Sequence, residues 1–473
     1  MYVRQTIEIR PNNKQKTYFR QCFGAHRLAY NYGLAEWIRR RDRGEKTNVR
    51  DIRAQFNREK AAWRWPFLGN VSSSATNNAF EDLKRAFDNF FNDSKKIGSG
   101  NNTELTGYPT PKDKSYNSGS YTEYFSTDNS HGGGPVITDH RITAKDIVQR
   151  NGHHNTRYTD VLKADNANTA KPYLRLPRLD TVRMTRPLRY EGRPVSVTIR
   201  QHNERFYACF MVEVTMQEFL RHHPRYAQQP TAAVGIDLGI KELAVTSDGI
   251  SIQNPRPWER QLQRENRLQE RMNHCQGIKQ KKSLRPSMRL GKNFLKRKYR
   301  LWRLRTHVAN RRADLRNKLC AAILANYQHI AIETLSVRSM PATVRKAKNK
   351  RKLRLHLADV SLYEIRHRLQ TLGELLGRNI VLAPNNFPST RRCCHCGHTA
   401  HSTLDTRIRT FRCPECGNTI DRDLNAAINL INLTGIGNTG SMPDADSPMR
   451  SDLIRSNIPH ELIGHGKEVG TRS

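Results

Sequence analysis

Four cysteines stand at the spacing of a metal-binding module. Two residues separate Cys393 from Cys396, and after sixteen further residues the same gap separates Cys413 from Cys416. A glycine follows each pair. The two-residue gap lets both thiolates of a pair turn toward one ion, which is the zinc-ribbon pattern. Four thiolates leave no open coordination position, so the sequence predicts a structural Zn²⁺ site without a catalytic role.

Cys394 leaves a question open at this site, because it adjoins a predicted ligand and could compete for the ion. Redox chemistry or incidental thiols are the alternatives to zinc for the four cysteines. Disulfides are rare inside cells, where we expect this protein, and this favours zinc. Ordinary buried thiols are predicted at the scattered positions Cys22, Cys209, Cys275 and Cys320.

Three carboxylates make up a second candidate centre. Asp237 interrupts the apolar segment VGIDLG, and Glu333 interrupts IAIETL. An acid inside a buried strand is costly unless a partner compensates it. Asp423 lies at the start of the helix-like segment DRDLNAAINL, whose small residues would let it pack closely on those strands. Taken singly, each acid could be a capping or ion-paired residue.

Carboxylates that are brought together repel one another, and divalent cations relieve the repulsion. Hard oxygen donors suit Mg²⁺ or Mn²⁺. Two such ions can activate a water molecule and stabilise the leaving oxygen of a phosphodiester. We therefore predict a Mg²⁺ (or Mn²⁺) centre at Asp237, Glu333 and one of the two acids that begin the last helix, Asp423 or Asp421.

The charge balance indicates a polyanionic partner. The chain has 473 residues and a formal net charge of +38. Nucleic acid fits such an excess, because Lys and Arg release counterions from phosphates; an anionic membrane surface is the alternative. No segment reaches the roughly 20 apolar residues of a bilayer span, and the N-terminus lacks the apolar core of a signal peptide. We expect a cytoplasmic, nucleoid-associated protein without a membrane partner.

Two stretches concentrate the positive charge, at 279–304 and 345–355. Such dense runs of Lys and Arg are expected to bind phosphates of RNA or of a heteroduplex. Tyr299 and Trp302 could stack on bases. Their helical spacing, however, favours packing against a neighbouring element.

The N-terminal half combines strands with helices. Residues 1–11 and the alternating segments VSVTIRQ and RFYACFMVEV predict a small antiparallel barrel. Apolar residues at helical spacing predict helices within 12–96, one of them beginning near Ser72. The interval 97–170 is rich in turn and linker residues and predicts a flexible insertion with one short ordered piece around 135–150.

The C-terminal half predicts an α/β domain. Apolar strands occur in TAAVGIDLG, ELAVTSDG, YQHIAIETL and NIVLAP. Helical patterns cover 256–325 and 356–377 and return after the cysteines. Gly435 and Gly437 would end that last helix, and the polar tail beyond them is expected to be disordered.

Several of these segments, in this order, resemble one family. VGIDLGIKELAVTSDG, IAIETL, CHCG…CPECG and DRDLNAAINL look like the motifs of the transposon-encoded TnpB nucleases and of their relatives, the miniature type V CRISPR nucleases. The segments IRPNNKQKTYFRQCFGAHRLAYNYGL, NAFEDLKRAFDNFF and RRADLRNKL are similar as well. The resemblance covers most of 1–95 and 174–432, and the combination is far more specific than any single piece.

The resemblance implies a multidomain α/β protein. An RNase H-like RuvC nuclease domain would contain an inserted zinc-ribbon nucleic-acid module, and a wedge-type N-terminal β-barrel would carry a helical recognition insert. The expected domains are the barrel (1–11 and 171–230), the recognition domain (12–96), the flexible insertion (97–170), the RuvC domain (231–385 and 418–434), the zinc ribbon (386–417) and the tail (435–473).

The resemblance also implies an activity. A guide RNA would pair with target DNA beside a short motif that the protein reads, and a two-metal RuvC site would cleave the DNA. By matching position, Asp237, Glu333 and Asp423 would be the metal-binding catalytic residues. We expect a transposon-encoded endonuclease, and a monomer. The alternatives are a miniature CRISPR effector, a non-cleaving RNA-guided regulator, and an unguided nuclease or transposase; retention of all three acids speaks against the regulator.

Overall fold

A computed structural model describes most of the chain. The described residues are 1–62, 64–98, 107–113, 118–125, 134–139, 141–150, 153–161, 172–275, 292–334, 360–384, 387–400 and 408–435. They divide into two compact units, Met1–His222 and His223–Ser473. No helix among the described residues combines the length and apolarity that crossing a bilayer requires.

The first unit is built on a seven-stranded antiparallel sheet with the order β2-β8-β9-β1-β7-β6-β3. Its strands are β1 (Tyr2–Arg10), β2 (Ser118–Tyr124), β3 (Val136–Thr138), β6 (Tyr173–Leu176), β7 (Leu179–Met184), β8 (Arg193–His202) and β9 (Arg205–Glu213). A separate hairpin pairs β4 (Arg141–Arg150) with β5 (His153–Val161). The alternation noted in the sequence buries one face, as at Val197, Ile199 and Phe210.

The N-terminal strand joins the later strands as predicted, since β1 pairs with β9 from Tyr2 to Ile9. The described strand order has two ends, β2 and β3. Closure of this sheet into a wedge-type barrel therefore stays a prediction.

The expectation of a flexible insertion at 97–170 needs correction. Strand β2 lies inside that interval and pairs with β8 along its whole length, from Ser118 to Tyr124. The sequence pattern did not predict this strand, because its two buried positions carry Tyr121 and Glu123 and therefore show no apolar alternation. The sheet thus includes two strands, β2 and β3, from the region that we assigned to a flexible insertion.

Helices in the region 12–96 are confirmed. They are α1 (Asn13–Asp42), α2 (Val49–Ala61) and α3 (Ser73–Gly98), and a short α4 (Met216–His222) follows the sheet. Helix α1 begins with a capping box in which the side chains of Asn12 and Gln15 satisfy each other's backbone N–H groups. Gly33 lets α3 approach α1, since a Cβ there would meet Leu83 and Phe80 at 2.8–3.0 Å.

The second unit contains a five-stranded mixed sheet with the order β12-β11-β10-β13-β14. Its strands are β10 (Ala233–Leu238), β11 (Glu242–Thr246), β12 (Ser251–Gln253), β13 (His329–Ile332) and β14 (Asn379–Leu382). The first three form an antiparallel meander, and β13 and β14 extend the sheet in parallel from β10. All four predicted strand segments are thus confirmed.

Helices surround this sheet. They are α5 (Pro257–Cys275), α6 (Lys292–Asn326), α7 (Leu362–Leu375) and α8 (Arg422–Ile431). Helix α6 buries Phe294, Leu301 and Val308, which recur every seven residues and form one apolar stripe on a basic helix. A small hairpin of β15 (Thr410–Arg412) and β16 (Thr419–Asp421) precedes α8.

Some predictions fall outside the described residues. These are the basic stretch 345–355, the part of 279–304 before 292, and the tail beyond Gly435. The predicted buried thiols Cys22, Cys209 and Cys320 are confirmed; the side chain of Cys275 is not described.

Candidate functional site

Two backbone knuckles of the same form present the four cysteines. In the first, the N–H of Cys393 donates to the carbonyl of His398 at 2.8 Å, and the N–H of Gly397 donates to the carbonyl of Cys393 at 3.0 Å. The second repeats the pattern, with Cys413 donating to Asn418 at 2.8 Å. The glycines at 397 and 417 have φ of +75° and +71°, a conformation that disfavours other residues.

The knuckles bring the four thiols to one point. All four sulfurs lie within 4.8 Å of one another. The Sγ atoms of Cys396 and Cys413 are 3.5 Å apart, and those of Cys393 and Cys416 are 3.7 Å apart. A tetrahedral ion with Zn–S bonds of about 2.3 Å requires sulfurs about 3.8 Å apart. The cluster can therefore hold a tetrahedral metal ion, and these distances are far too long for a disulfide.

One thiol of the cluster, that of Cys413, is acidic. Burial acts to raise the pKa of Cys413, but hydrogen bonds from the backbone N–H groups of Cys416 and Glu415 outweigh it and lower the pKa to about 7. Cys394 lies outside the cluster. Burial raises the pKa of its thiol to about 11. Its position outside the cluster favours the four predicted cysteines as the ligand set.

Asp421 and Asp423 have different roles at the start of α8. Asp421 is the N-cap residue, and its Oδ1 accepts hydrogen bonds from the N–H groups of Asp423 and Leu424 at 2.9 and 3.1 Å. Asp423 is 9 % exposed and lies beside Arg409, whose Nη1 donates to Oδ2 at 3.2 Å. The sequence had left open which of the two acids belongs to the centre; capping already occupies Asp421.

Helix α8 packs directly on β10. A Cβ at Gly235 would overlap the carbonyl of Ala427, so the two backbones are in contact. Asp423 is one helical turn before Ala427 and shares its face, while Asp237 is two residues after Gly235 and shares its side of the strand. The contact therefore turns the Asp423 face of the helix toward the Asp237 face of the sheet.

Asp237 and Glu333 lie at the same end of neighbouring parallel strands. The register between β10 and β13 pairs Ile236 with Ile332, and each acid is the next residue. Ala331, two residues before Glu333, packs against Leu430 of α8. Both strands thus direct their acid-bearing side toward the same helix.

Glu333 and Asp423 have different hydrogen-bonding and ionic partners. Glu333 Oε1 accepts a hydrogen bond from Ser389 Oγ at 3.2 Å, and Asp423 is beside Arg409 and, at 3.6 Å, Arg422. Among the described residues, the four cysteines are the one group of three or more potential metal ligands whose ligand atoms lie close enough together to share an ion. The structure places the acids on adjacent elements but does not gather their oxygens at one point.

Burial gives Glu333 an unusual environment. It raises the pKa of Glu333, and the hydrogen bond from Ser389 opposes that rise. In the described part of the chain, no lysine or arginine forms an ion pair with this carboxylate. A desolvated acid without a cationic partner is a suitable ligand for a cation from solution.

A small cleft of about 10 Å³, with room for about one water molecule, lies beside Glu333. It is lined by Leu238, Leu362, Tyr363 and Arg366, so it lies between the end of β10 and the first turns of α7. Tyr363 is 51 % exposed, and the Arg366 guanidinium lies over its ring at 5.7 Å. An exposed aromatic ring and an arginine next to a buried acid can contact a base and a phosphate.

Sequence reasoning missed several of these residues. Arg366 is one of many arginines in a basic helical region, and Arg409 lies in an irregular segment. Ser389 is four residues before Cys393, in a stretch without periodicity. The proximity of an arginine or serine to the metal motifs was the available signal, and it is weak in so basic a chain.

The basic helix α6 offers a long charged surface. Exposed Lys and Arg residues recur along it at Lys296, Lys298, Arg300, Arg303, Arg305 and Arg311. Tyr299 and Trp302 are half-buried, with ring centroids 5.4 Å apart. The two rings pack against each other, which supports the packing role that their spacing favours.

Three family models match this chain. The model OrfB_IS605, described as "Probable transposase", matches residues 210–343, a "Cas12f1-like, TNB domain" matches 363–430, and the "Helix-turn-helix domain" of OrfB_IS605 matches 1–46. Together they span slightly more than half of the chain. In the structure, residues 1–46 form strand β1 followed by one uninterrupted helix, α1.

Curated relatives match over most of their length. A protein of Streptomyces pristinaespiralis named "Putative RNA-guided DNA endonuclease" is 28% identical over 402 residues, which cover 84% of this chain and 81% of the relative. InsQ of Escherichia coli (strain K12), which carries the same descriptive name, is 24% identical over 403 residues, covering 83% of each chain.

Solved structures show weaker similarity. CasPhi-2 (Cas12j) bound to crRNA has a TM-score of 0.39 at 12% identity, covering 94% of this chain and 99% of that one. A Cas12f1–sgRNA–target DNA complex has a TM-score of 0.26 at 14% identity, covering 91% and 99%. Scores of this size support no structural conclusion. By its family models and its curated relatives, the chain is similar to the OrfB_IS605 proteins and to proteins named as RNA-guided DNA endonucleases.

Proposed function

We propose that this protein is a transposon-encoded, RNA-guided DNA endonuclease that hydrolyses phosphodiesters at Asp237, Glu333 and Asp423. The observation that carries the proposal is the register of the parallel strands, in which Asp237 and Glu333 follow a paired Ile236 and Ile332. Helix α8 supplies Asp423 from the facing side. A three-stranded meander extended by two parallel strands is also the topology of an RNase H-like domain, which agrees with a RuvC site.

The acids would hold Mg²⁺ or Mn²⁺. Their oxygens are hard donors. Burial raises the pKa of Glu333, so a bound cation would stabilise its ionised form. Bound divalent ions would activate a water molecule and stabilise the leaving oxygen. Asp423 is preferred over Asp421 as the third ligand because Asp421 already caps α8. Arg409, which contacts Asp423, would help to hold that carboxylate in place.

The surface around the cleft beside Glu333 would contact the DNA strand to be cut. Tyr363 would stack on a base, and Arg366 would bind a phosphate near the reacting group. Arg366 is available for this role, since no ion pair involves its guanidinium among the described residues. Both residues are on the first turns of α7, so a rigid element positions them.

Guidance by RNA is proposed from the relatives and from charge. Both relatives carry names of RNA-guided DNA endonucleases, and the net charge of +38 favours a polyanionic partner. The exposed cations of α6 provide a surface for the phosphates of a guide or heteroduplex. A tetrahedral Zn²⁺ at the four cysteines would fix the module that precedes α8.

The test is cleavage by the purified protein–RNA complex. The protein is expressed with the DNA flanking its gene, the co-purifying RNA is sequenced, and matched DNA is supplied with Mg²⁺. Asp237→Ala, Glu333→Ala and Asp423→Ala should each reduce cutting at least about 1,000-fold, the scale seen when a transition-state stabiliser is removed, while DNA binding persists. Asp314→Asn, an exposed acid on α6, is the matched control and should cut normally.

Two outcomes would contradict the proposal. Tight binding of matched DNA without cutting in Mg²⁺ or Mn²⁺ would indicate a non-cleaving RNA-guided regulator. Heterogeneous RNA in place of one discrete species would indicate an unguided nuclease or a transposase.

A further inference from the structure

Two buried asparagines of α8 hold the segment that leads into the cysteine cluster. Asn425 and Asn429 are one turn apart and 0% and 1% exposed. Their Nδ2 atoms donate to the carbonyl of Arg392 at 2.7 and 2.6 Å and to that of Ser389 at 3.5 and 2.9 Å. Asn425 Oδ1 also accepts the N–H of Cys394 at 2.9 Å. We call these two side chains the amide clamp.

Burial of the two carboxamides costs more free energy than burial of apolar side chains would. A carboxamide loses its water on burial and must recover hydrogen bonds inside the protein. Asn429 Oδ1 recovers none among the described residues. Its amide cannot rotate to correct this, because Oδ1 would then face the carbonyls of Ser389 and Arg392. An apolar residue would pack α8 at lower cost, so the asparagines serve to hold the segment in one place.

The segment that the amide clamp binds also contacts Glu333, through Ser389. The carbonyl of Ser389 is bound by the amide clamp, and its hydroxyl donates to Glu333 Oε1 at 3.2 Å. Ser389 is 1 % exposed, so water does not compete for either group. One residue thus joins Glu333 to α8, and the same clamp fixes Arg392 and Cys394, on either side of the predicted ligand Cys393.

We propose that Ser389 is a positioning residue for Glu333, and that the amide clamp couples metal occupancy of the cysteine cluster to divalent-ion binding at the carboxylates. The inference rests on the proposed function, since it takes Glu333 as a metal ligand. With Oε1 bound by Ser389, Oε2 is the oxygen left for the ion. Loss of metal from the cysteines would release the knuckle at Cys393, and with it the position of Ser389.

The first test is Ser389→Ala in the full-length protein–RNA complex. Binding of Mn²⁺ is measured by electron paramagnetic resonance, and zinc content by mass spectrometry. The expected result is a 10- to 100-fold weaker Mn²⁺ affinity, about the usual effect of removing a partner of a metal ligand, with zinc content and DNA binding unchanged. Cutting should recover toward the wild-type rate at high Mg²⁺.

Matched variants separate positioning from general damage. Thr390→Ala removes a hydroxyl and a methyl group from the adjacent residue and should leave Mn²⁺ affinity unchanged. Ser389→Thr keeps the hydroxyl and should retain most of the affinity. An unchanged Mn²⁺ affinity in Ser389→Ala would overturn the inference. If Ser389→Ala loses zinc or unfolds, Ser389→Thr decides: a folded Ser389→Thr that also binds Mn²⁺ weakly would overturn the inference as well.

The second test addresses coupling. Removal of zinc with a chelator should weaken Mn²⁺ binding in the wild type by a similar factor. In Ser389→Ala and in Asn429→Leu, zinc removal should have little further effect, because the connection is already broken. Equal effects of chelation in all three proteins would refute coupling. Mn²⁺ binding does not require cutting, so failure of this inference is distinguishable from failure of the nuclease proposal.

Discussion

Gly235 of β10 lies with its α-carbon against the carbonyl of Ala427 in α8. The absence of a side chain at this position lets the helix approach the strand at backbone contact. Asp237 lies two residues after Gly235, and Asp423 lies one helical turn before Ala427. This approach therefore sets how near the two acids come. The contact is therefore both a packing feature and a determinant of the candidate site.

Gly235→Ala should disrupt this packing. A methyl group would overlap the backbone of α8, and a forced shift of a helix costs about 1–3 kcal/mol or more. We expect a lower melting temperature and a loss of cutting. Gly24→Ala is the control, because nothing lies within 4 Å of the added Cβ, and alanine should stabilise α1 by roughly 0.5–1 kcal/mol. Calorimetry checks both; an unaltered melting profile in Gly235→Ala would contradict the packing described here.

Removal of one cysteine ligand should unfold the zinc module. Cys416→Ser is expected to lose the metal and to lower the melting temperature by about 10 °C, since structural zinc contributes several kcal/mol and each kcal/mol shifts a domain of this size by about 2–4 °C. Cys394→Ser is the matched control and should retain one zinc per chain. Zinc content by mass spectrometry decides; equal losses in both variants would mean that Cys394 is a ligand.

Arg366→Ala should weaken binding of the DNA strand beside Glu333. Loss of one phosphate contact is expected to reduce cutting about 10- to 100-fold, the effect of removing about 1.5–3 kcal/mol of charged hydrogen bonding, with Mn²⁺ binding unchanged. Arg368→Ala, an exposed arginine two residues further on the same helix, should cut normally. The comparison is made by single-turnover kinetics. Equal defects in the two variants would indicate a general charge effect instead of a contact in the cleft.

The buried acid of the first unit should make stability depend on pH. Burial raises the pKa of Glu123, and hydrogen bonds from Ser72 and Ser74 oppose the rise without cancelling it. A raised folded-state pKa means that the native protein holds the proton more tightly than the unfolded chain. The contribution of Glu123 to stability is therefore full below its unfolded pKa, near 4.3 for glutamate, and is lost as pH rises through the folded-state pKa.

Glu123→Gln removes that dependence. At neutral pH the variant should be more stable than the wild type by roughly 1 kcal/mol, the scale of one hydrogen-bonding group, and the difference should shrink as the pH falls toward 4. Glu204→Gln, an exposed acid in the β8–β9 turn, should show no such trend. Denaturant titrations at several pH values provide the measurement. A wild type that gains on the variant as pH rises would reverse the sign argued here.

Local patterns were sufficient for much of the fold. Alternating apolar residues predicted β8 and β9, and acids within apolar runs marked β10 and the end of β13. Strand β2 escaped because its inward positions carry Tyr121 and Glu123, whose burial depends on contacts with α1 and α3 that no short window of sequence contains.

The sequence by itself determined which atoms could bind metal: four thiolates at knuckle spacing and three carboxylates in segments that should be buried. Spacing is a local property, so it specifies the cysteine knuckles almost completely. Tertiary structure decided the rest. The parallel register of β10 and β13, the contact of Gly235 with Ala427 and the hydrogen bond from Ser389 to Glu333 join residues that are distant in the chain, and only the packing of the folded protein selects which of them meet.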